Sequence, residues 1–298
     1  MASIINYFNY LKPRLNRNQF GIRDIPSIRK TVNIERSPLV NVGDSLGPVI
    51  VKWMLKKRNI DPLKKVKRTK HLMTVGSIIG RGRFDTTVWG SGVLKTVGDI
   101  SLMRYKQLYH RKIDFRAIRG PYSREYVISH GYSCPEVYGD PAVLMPLIYS
   151  PRMKKIYDCS VILHHRTSIL DNTTNSNDEY SMKINSDVYQ KYHPHFIDPK
   201  TEDYKFFIDE LLKSKFVISS SLHGIILAES YGIPSVFLNW GVDDQPTKFR
   251  DWYASTGRET VFCRTLEEAF NTSAPPLPDI SILQNNLMNS FPYDLWEV

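Results

Sequence analysis

Strand-like and helix-like patterns alternate along this chain from about residue 31, and this alternation restricts the possible folds more than any other feature. The apolar run TVNIER predicts a strand, and the amphipathic run DSLGPVIVKWMLKKRN after it predicts a helix. Such pairs recur as far as TVFCR and TLEEAFN, the last of which ends at residue 271. Alternating strands and helices form parallel sheets that are covered by helices on both faces. We therefore expect an α/β protein.

The alternation repeats in two halves that divide near Pro146 to Pro151. We predict two Rossmann-like domains that face a cleft. Residues 31–148 form the N-terminal domain, residues 149–298 form the C-terminal domain, and residues 1–30 form an N-terminal extension. The polar run TSILDNTTNSNDEYS in the second half is predicted as a surface loop or lid beside the cleft.

The composition is that of a globular chain that can bury a core, with 298 residues and 42% hydrophobic residues. No run approaches the roughly 20 consecutive apolar residues that span a bilayer. The start, MASIINYFNYLKPRLNRN, has no long apolar run and no small-residue cleavage site. The three cysteines are scattered, which argues against a disulfide framework or a zinc site. We expect a cytoplasmic protein.

Four motifs lie at predicted junctions where a strand ends and a helix or loop begins. In open α/β sheets ligands bind at such junctions, because backbone N–H groups and the positive ends of helix dipoles collect there. A glycine pair, as in WGSGV, also lets a ligand approach the backbone. The candidate residues are Gly43 and Asp44 in NVGDSLG, Ser91 in WGSGV, Arg119 in AIRGPYS, and Ser219, Ser220, Ser221 and His223 in SSSLHG.

Four further residues are second candidates at the same cleft. His164 and His165 end the predicted strand CSVILHH, and neighbouring strand residues point to opposite faces, so at most one of them reaches the cleft. Lys248 and Asp251 lie on the helix predicted for PTKFRDWYASTG. Of these two, Lys248 is the preferred residue for binding an anion.

Taken together in their order along the chain, the motifs resemble the polysaccharide pyruvyl transferase family over nearly the whole span from Thr31 to Arg264. The matching stretches are NVGDSLGP, WGSGV, RGPYSREYV, YGDPAVLMP and, most specifically, SSSLHGIILAESYGIP. The run KFRDWYASTGR resembles the ending seen in bacterial exopolysaccharide ketal-pyruvate transferases of this family.

The resemblance implies a fold like that of GT-B glycosyltransferases, with the active cleft between two Rossmann-like domains. It implies a transferase that takes phosphoenolpyruvate as donor and a pair of sugar hydroxyls as acceptor, forms a pyruvate ketal and releases phosphate. By family position, His223 is the acid/base residue and Arg119 is a donor-binding cation. Gly43 and Asp44 lie on the acceptor side, with Ser91 as a further acceptor-binding candidate.

The chemistry of the residues agrees with this reaction. A proton must reach the methylene carbon of the donor while its C2 becomes cationic, and a histidine can deliver and retrieve that proton near pH 7. A guanidinium grips a carboxylate or phosphate with two hydrogen bonds. Ser219 to Ser221, Lys248 and the N–H groups of the helix after the serines are further donor contacts. We expect no metal and no cofactor, with phosphoenolpyruvate as a co-substrate.

Three other interpretations stay open. A GT-B glycosyltransferase that uses a nucleotide sugar would share the two-domain plan, and Glu229 is a candidate for holding its ribose. A nucleic-acid-binding protein would interleave aromatic residues with cations, which the run between Lys56 and Lys70 does not do. An inactive family member acting as a scaffold is disfavoured by the presence of His223 and Arg119.

The net charge of +10 is concentrated in KWMLKKRNIDPLKKVKRTKH, from Lys52 to His71. This run is either a solvated surface or an attraction site for an anionic partner. The N-terminal run IINYFNYLKPRLNR adds apolar residues and cations. Our hypothesis is a weak peripheral contact with anionic lipid at the inner face of the cytoplasmic membrane, which would bring the enzyme to a lipid-linked oligosaccharide acceptor.

Overall fold

The computed structural model of the protein describes residues 30–37, 40–81, 84–94, 111–164, 168–170, 181–183, 186–239 and 247–297. The predicted N-terminal extension lies outside these residues apart from Lys30. Most of the predicted lid and His165 also lie outside them. Among the described helices, none combines the length and apolarity that crossing a bilayer requires.

The first sheet has four described strands, all parallel and arranged side by side in chain order. They are β1 (Val32–Glu35), β2 (Lys70–Met73), β3 (Thr86–Trp89) and β4 (Ile113–Ala117). Helix α1 (Val42–Lys56) connects β1 to β2, and the Asn41 side chain caps its first turn by accepting from the Gly43 N–H at 3.2 Å. Helix α2 (Pro121–Ser129) follows β4 and begins with a proline, a residue that is favoured at the first helical position.

The second sheet has five parallel strands in the order β11-β10-β9-β5-β8. Their bounds are β5 (Ser160–Ile162), β8 (His195–Phe196), β9 (Val217–Ser219), β10 (Ser235–Leu238) and β11 (Phe262–Cys263). The chain leaves β5 through α4 (Ser186–Tyr192) to β8 on one side. From β9 it runs through α6 (Leu222–Ser230) to β10 on the other side. The neighbouring strands β5 and β9 therefore form a topological switch point.

The remaining elements connect and cover these sheets. The helices are α3 (Met145–Ile148), α5 (Tyr204–Leu212), α7 (Thr247–Ser255), α8 (Leu266–Phe270) and α9 (Ser281–Ser290). A separate parallel pair consists of β6 (Ser168–Leu170) and β7 (Ser181–Lys183). Short 3-10 turns occur at Ile79–Arg81, Pro141–Leu144 and Tyr293–Trp296.

A shared apolar cluster joins the two halves of the chain. Ile34 and Leu46 from the first half belong to the same buried cluster as Phe207 and Ile225 from the second. Two smaller clusters lie elsewhere, one around Met73, Val88 and Phe115, and one around Val161, Ile218 and Val236. Because successive strand residues point to opposite faces, these clusters show that both sheets are covered on both faces.

The parallel sheets confirm the predicted α/β fold, and the strands and helices named from the sequence lie where they were expected within a few residues. All three cysteines are free. The GT-B arrangement and the division at residue 148 stay predictions.

The segment after Asn271 is the part of the fold that the sequence patterns did not predict. After α8, which packs on the second sheet, the chain returns to the first. The Trp89 indole N–H donates to the Leu287 carbonyl at 3.0 Å, and the Tyr293 hydroxyl donates to the Met54 carbonyl at 3.1 Å. Trp296 is completely buried and donates to the Pro62 carbonyl at 3.3 Å. These hydrogen bonds hold α1 and the loop after it against the C-terminal segment.

We predict that Trp296→Ala lowers the free energy of unfolding by about 3–5 kcal/mol, because it removes a large buried side chain and leaves a cavity. Urea denaturation measures this change. Ile282→Ala is the matched control, since Ile282 is 61% exposed in the same segment and its loss should change stability by less than about 0.5 kcal/mol. Equal effects of the two changes would show that the segment is not anchored through Trp296.

Candidate active site at the switch point of the second sheet

The SSSLHG motif lies at the switch point, where β9 ends and α6 begins. The apolar residues Val217 and Ile218 form the buried strand, and the chain then turns through three serines into a helix whose N-cap is Ser221. Gly224 allows this tight arrangement, because a β-carbon at that position would lie 2.3 Å from the Ser219 hydroxyl oxygen. The motif is thus in the place where open α/β sheets bind ligands.

The three serines differ in what their hydroxyl groups contact. The Ser219 hydroxyl oxygen lies 2.9 Å from the Ile162 carbonyl and accepts from the Ser221 N–H at 3.0 Å. The Ser220 hydroxyl accepts from the His164 N–H at 2.8 Å. These two serines join β9 to β5 and shape the turn. The Ser221 side chain makes no capping bond and has no hydrogen-bond partner among the described residues, so it is the serine best suited to contact a ligand.

His223 lies in the first turn of α6, with 6% of its surface exposed. Its ring packs against Gly43 in the first turn of α1, and a β-carbon at residue 43 would lie only 1.8 Å from His223 Nδ1. Glycine is therefore required at this position because of the imidazole. The structure brings together two predicted candidates that are 180 positions apart in the chain.

Asp140 faces the other ring nitrogen of His223. Its Oδ2 lies 3.6 Å from His223 Nε2, and both atoms are buried without a hydrogen-bond partner in the described structure. The separation is longer than a hydrogen bond, so the two groups lie next to each other without a direct bond. The other oxygen, Oδ1, caps the turn at Pro141–Leu144 by accepting from the Ala142 N–H at 3.0 Å.

Sequence reasoning gave Asp140 no role. The signal was present in YGDPAVLMP, where an aspartate before a proline is typical of a cap. The pattern does not predict that the second carboxylate oxygen of Asp140 lies opposite His223. That position depends on α1, α6 and the turn at residues 141–144 packing together.

Arg119, which was predicted as a donor-binding cation, lies in the interior of the protein. The side chain is completely buried, and all three guanidinium nitrogens contact protein atoms. Nε donates to Asp251 at 3.0 Å, one terminal nitrogen donates to the Ser77 hydroxyl at 2.6 Å, and the other to the Val93 carbonyl at 2.7 Å. These contacts are those of a structural tie, and they leave no surface of the guanidinium for a donor in this structure.

Asp251 is the counterion of Arg119 and has no exposed surface. Besides Arg119, it accepts from the N–H of Ser123 at 3.0 Å and from the hydroxyl of the same serine. Its backbone oxygen fills the space beside Gly120, where a β-carbon would approach to 2.2 Å. Asp251 therefore binds α7 to the turn between β4 and α2 rather than a substrate.

The glycine pair of WGSGV also contacts protein rather than ligand. Gly92 packs against the Arg119 guanidinium, and Gly90, at a positive φ of 84°, packs against Pro141. Between them, Ser91 is completely buried and donates to the Gly76 carbonyl at 2.7 Å. The predicted acceptor-binding role of Ser91 is not supported by this environment, because its hydroxyl joins two loops of the first half.

Three other candidates are placed as follows. Asp44 is partly buried in the first turn of α1, next to Gly43, where the helix dipole favours a carboxylate. Lys248 lies on α7 with its ammonium 5.2 Å from the Phe249 ring centre, and no described contact connects it with His223. His164 follows β5 and is joined to the serine turn through Ser220.

Glu229 is part of an internal network. It accepts from the Trp252 indole N–H at 2.8 Å and from both terminal nitrogens of Arg258, at 2.7 and 3.0 Å. The residue is buried. In this arrangement Glu229 cannot hold a ribose. The sequence feature that favoured an enzyme using a nucleotide sugar is therefore not supported.

The surroundings of His223 favour an anion. The first turns of α1 and α6 meet at its ring, and the free N–H groups of a helix N-terminus carry partial positive charge. Thiol chemistry is disfavoured, because burial raises the pKa of Cys134 and of Cys159 to about 12. Within the described ranges, no group of three His, Cys, Asp or Glu residues is close enough together to hold a metal.

Comparison with known proteins identifies a family. A model of the polysaccharide pyruvyl transferase family matches residues 79–241, which is more than half of the chain and includes Asp140 and His223. An uncharacterized protein of Acanthamoeba polyphaga mimivirus is 25% identical over 231 residues, covering 74% of this chain and 72% of that protein. A crystal structure of an uncharacterized Klebsiella pneumoniae protein covers 80% of this chain and 94% of its own, with 14% identity and a TM-score of 0.49.

We predict that Asp251→Asn lowers the free energy of unfolding by about 3–5 kcal/mol, because it leaves the Arg119 guanidinium buried without a counterion. Asp294→Asn is the matched control, since Asp294 pairs with Arg116 at 2.8 Å on the surface and is 48% exposed. Its loss should change the free energy by less than about 1 kcal/mol. Denaturant titration of both variants measures the difference, and equal small losses would contradict the role given to Asp251.

Proposed function

The chain belongs to the polysaccharide pyruvyl transferase family, and we propose that it transfers the enolpyruvyl group of phosphoenolpyruvate to two hydroxyls of one sugar. The family makes the protein a transferase that acts on polysaccharides. The donor and the ketal product are our proposal. The observation that carries it is the buried pair of His223 and Asp140 at the switch point of the second sheet.

The reaction is balanced as follows. One proton is added to the methylene carbon of phosphoenolpyruvate, which becomes a methyl group, and C2 becomes electrophilic. Two sugar hydroxyls form bonds to C2, the bond from C2 to the phosphate oxygen breaks, and phosphate leaves. One of the two hydroxyl protons returns to the residue that protonated the methylene carbon. The other hydroxyl proton leaves with phosphate. A single residue that gives and then takes a proton is sufficient.

His223 is the residue proposed for this proton transfer. Neutral imidazole has one donor and one acceptor nitrogen, and either role is available near neutral pH. With Asp140 opposite Nε2, a proton on that nitrogen is stabilised, which leaves Nδ1 as the nitrogen that exchanges a proton. Nδ1 lies against Gly43 and has no hydrogen-bond partner among the described residues.

The carboxylate and phosphate of the donor match the positive end of α6. The N–H groups of its first turn and the Ser221 hydroxyl are hydrogen-bond donors at the start of this helix. Because Arg119 is used internally, we propose that these donors, rather than that guanidinium, bind the anion. Asp44 and Gly43, at the start of α1, are proposed to contact the acceptor sugar.

The direct test of this function is phosphate release from phosphoenolpyruvate in the presence of galactosyl, glucosyl and mannosyl acceptors. We expect release that depends on one of these acceptors and appearance of a carboxylated sugar in equal amount. Release without an acceptor, or sugar transfer from a nucleotide sugar instead, would contradict the proposal.

We predict that His223→Gln lowers turnover by roughly 10²–10⁴ while the melting temperature stays near that of the wild type. Glutamine fills a similar space but cannot donate and retrieve a proton. His195→Gln serves as the control, because His195 contacts Glu210 at 3.1 Å and stacks on Tyr157 away from the switch point. If His223→Gln turns over at the rate of the control, His223 is not the acid/base residue.

We predict that Asp140→Asn lowers turnover by roughly 10²–10⁴ and leaves the Michaelis constants nearly unchanged. The asparagine oxygen keeps the cap on Ala142, but the charge opposite His223 Nε2 is lost. Asp203→Asn is the control, because Asp203 also caps a helix, α5, and has no histidine beside it. A loss of turnover matched by an equal fall in melting temperature would assign Asp140 a structural role only.

A further inference from the structure

Eight exposed cations lie on the end of α1 and the loop after it, and this region is called the basic surface below. They are Lys52, Lys56, Lys57, Arg58, Lys64, Lys65, Lys67 and Arg68. Asp61 is the only acidic residue between Lys52 and Arg68, so this run carries +7 of the net charge of +10. None of the eight cations pairs with a carboxylate in the part of the chain that the structure describes. Most of the net positive charge of the protein is therefore concentrated in this run.

The basic surface lies at the opposite edge of the first sheet from His223. It consists of the last turns of α1 and the loop that leads to the start of β2, whereas His223 contacts the first turn of α1. Because a helix rises 1.5 Å per residue, Lys52 and Lys56 lie about 14 and 20 Å along α1 from Gly43. An anion bound at the basic surface is thus separate from the donor of the proposed reaction.

The loop of the basic surface is held in place. Val66 is buried, and its N–H donates to the Lys30 carbonyl at 2.8 Å. On the same loop, the Pro62 carbonyl accepts from Trp296, and Arg58 stacks on the Tyr293 ring at 3.7 Å. The cations are consequently presented by an ordered platform, which loses little entropy when a partner binds.

The chemistry of the basic surface fits a lipid surface better than a nucleic acid. Six of the eight cations are lysines, which lack the planar fork that grips phosphates bidentately. The nearest aromatic rings are used internally, since Lys57 covers Trp53 at 4.3 Å and Arg58 covers Tyr293. Leu63 is 41% exposed directly beside Lys64 and Lys65, and an apolar residue among cations is typical of a membrane-surface contact.

We propose that the basic surface docks on an anionic lipid bilayer. Each lysine near such a surface adds attraction that falls with salt, and Leu63 adds a shallow apolar contact. Since Lys56 lies about 20 Å along α1 from Gly43, docking leaves His223 at a distance from the cations that contact the lipid. A lipid-linked acceptor must then extend over this distance to reach His223.

The test is binding of the full chain to vesicles of phosphatidylcholine with and without phosphatidylglycerol, at low and high salt. In the test variant, Lys64, Lys65 and Lys67 are changed to Glu. In the matched control, Lys154, Lys200 and Lys205 are changed to Glu, because they are equally exposed and lie in the second half. Both variants lower the net charge from +10 to +4. We expect the test variant to bind anionic vesicles roughly tenfold or more weakly than the control.

Several outcomes would overturn the proposal. They are no binding to anionic vesicles, equal binding to neutral vesicles, or equal weakening in the two variants. Tighter binding to duplex DNA than to anionic vesicles at the same salt would assign the basic surface to nucleic acid instead. None of these outcomes bears on phosphate release from phosphoenolpyruvate, because the basic surface is remote from His223.

Discussion

The buried ion pair of Arg119 and Asp251 is the interaction on which the site depends. It connects the β4–α2 turn of the first half with α7 of the second, 132 positions later in the chain. Burying two charges is unfavourable unless their hydrogen bonds are satisfied, and here Arg119 donates to three groups while Asp251 accepts from three. Such a pair tolerates little displacement, so it fixes how the two halves meet.

Because the halves are fixed, a site can be divided between them. The first half supplies Gly43 and Asp140, and the second supplies His223 and the serine turn. The ring of His223 lies between the two first-half residues, and a shift of about 1 Å would separate Nε2 from the carboxylate or drive the ring into the backbone. The shared apolar cluster also holds the two halves of the chain together. The C-terminal segment adds to this by packing on the first sheet.

Much of the fold could be predicted because its signals are local. Apolar runs, helix caps and the SSSLHG turn are short patterns, and they located the strands, the helices and His223. The errors concern long-range pairing. A sequence does not reveal that Arg119 has an interior counterion, that Gly92 makes room for its guanidinium, or that the last 20 or so residues return to the first sheet. Asp140 was missed for the same reason, since only its cap is a local feature.

The central claim is that His223, with Asp140 beside it, protonates the methylene carbon of an enolpyruvyl donor. The most direct measurement is NMR spectroscopy of the sugar product made from phosphoenolpyruvate in D₂O. The account predicts a ketal methyl group that carries one deuterium, because the proton added to that carbon comes from a group that exchanges with solvent. A product whose pyruvyl group keeps its methylene, or a product with no pyruvyl group, would contradict it.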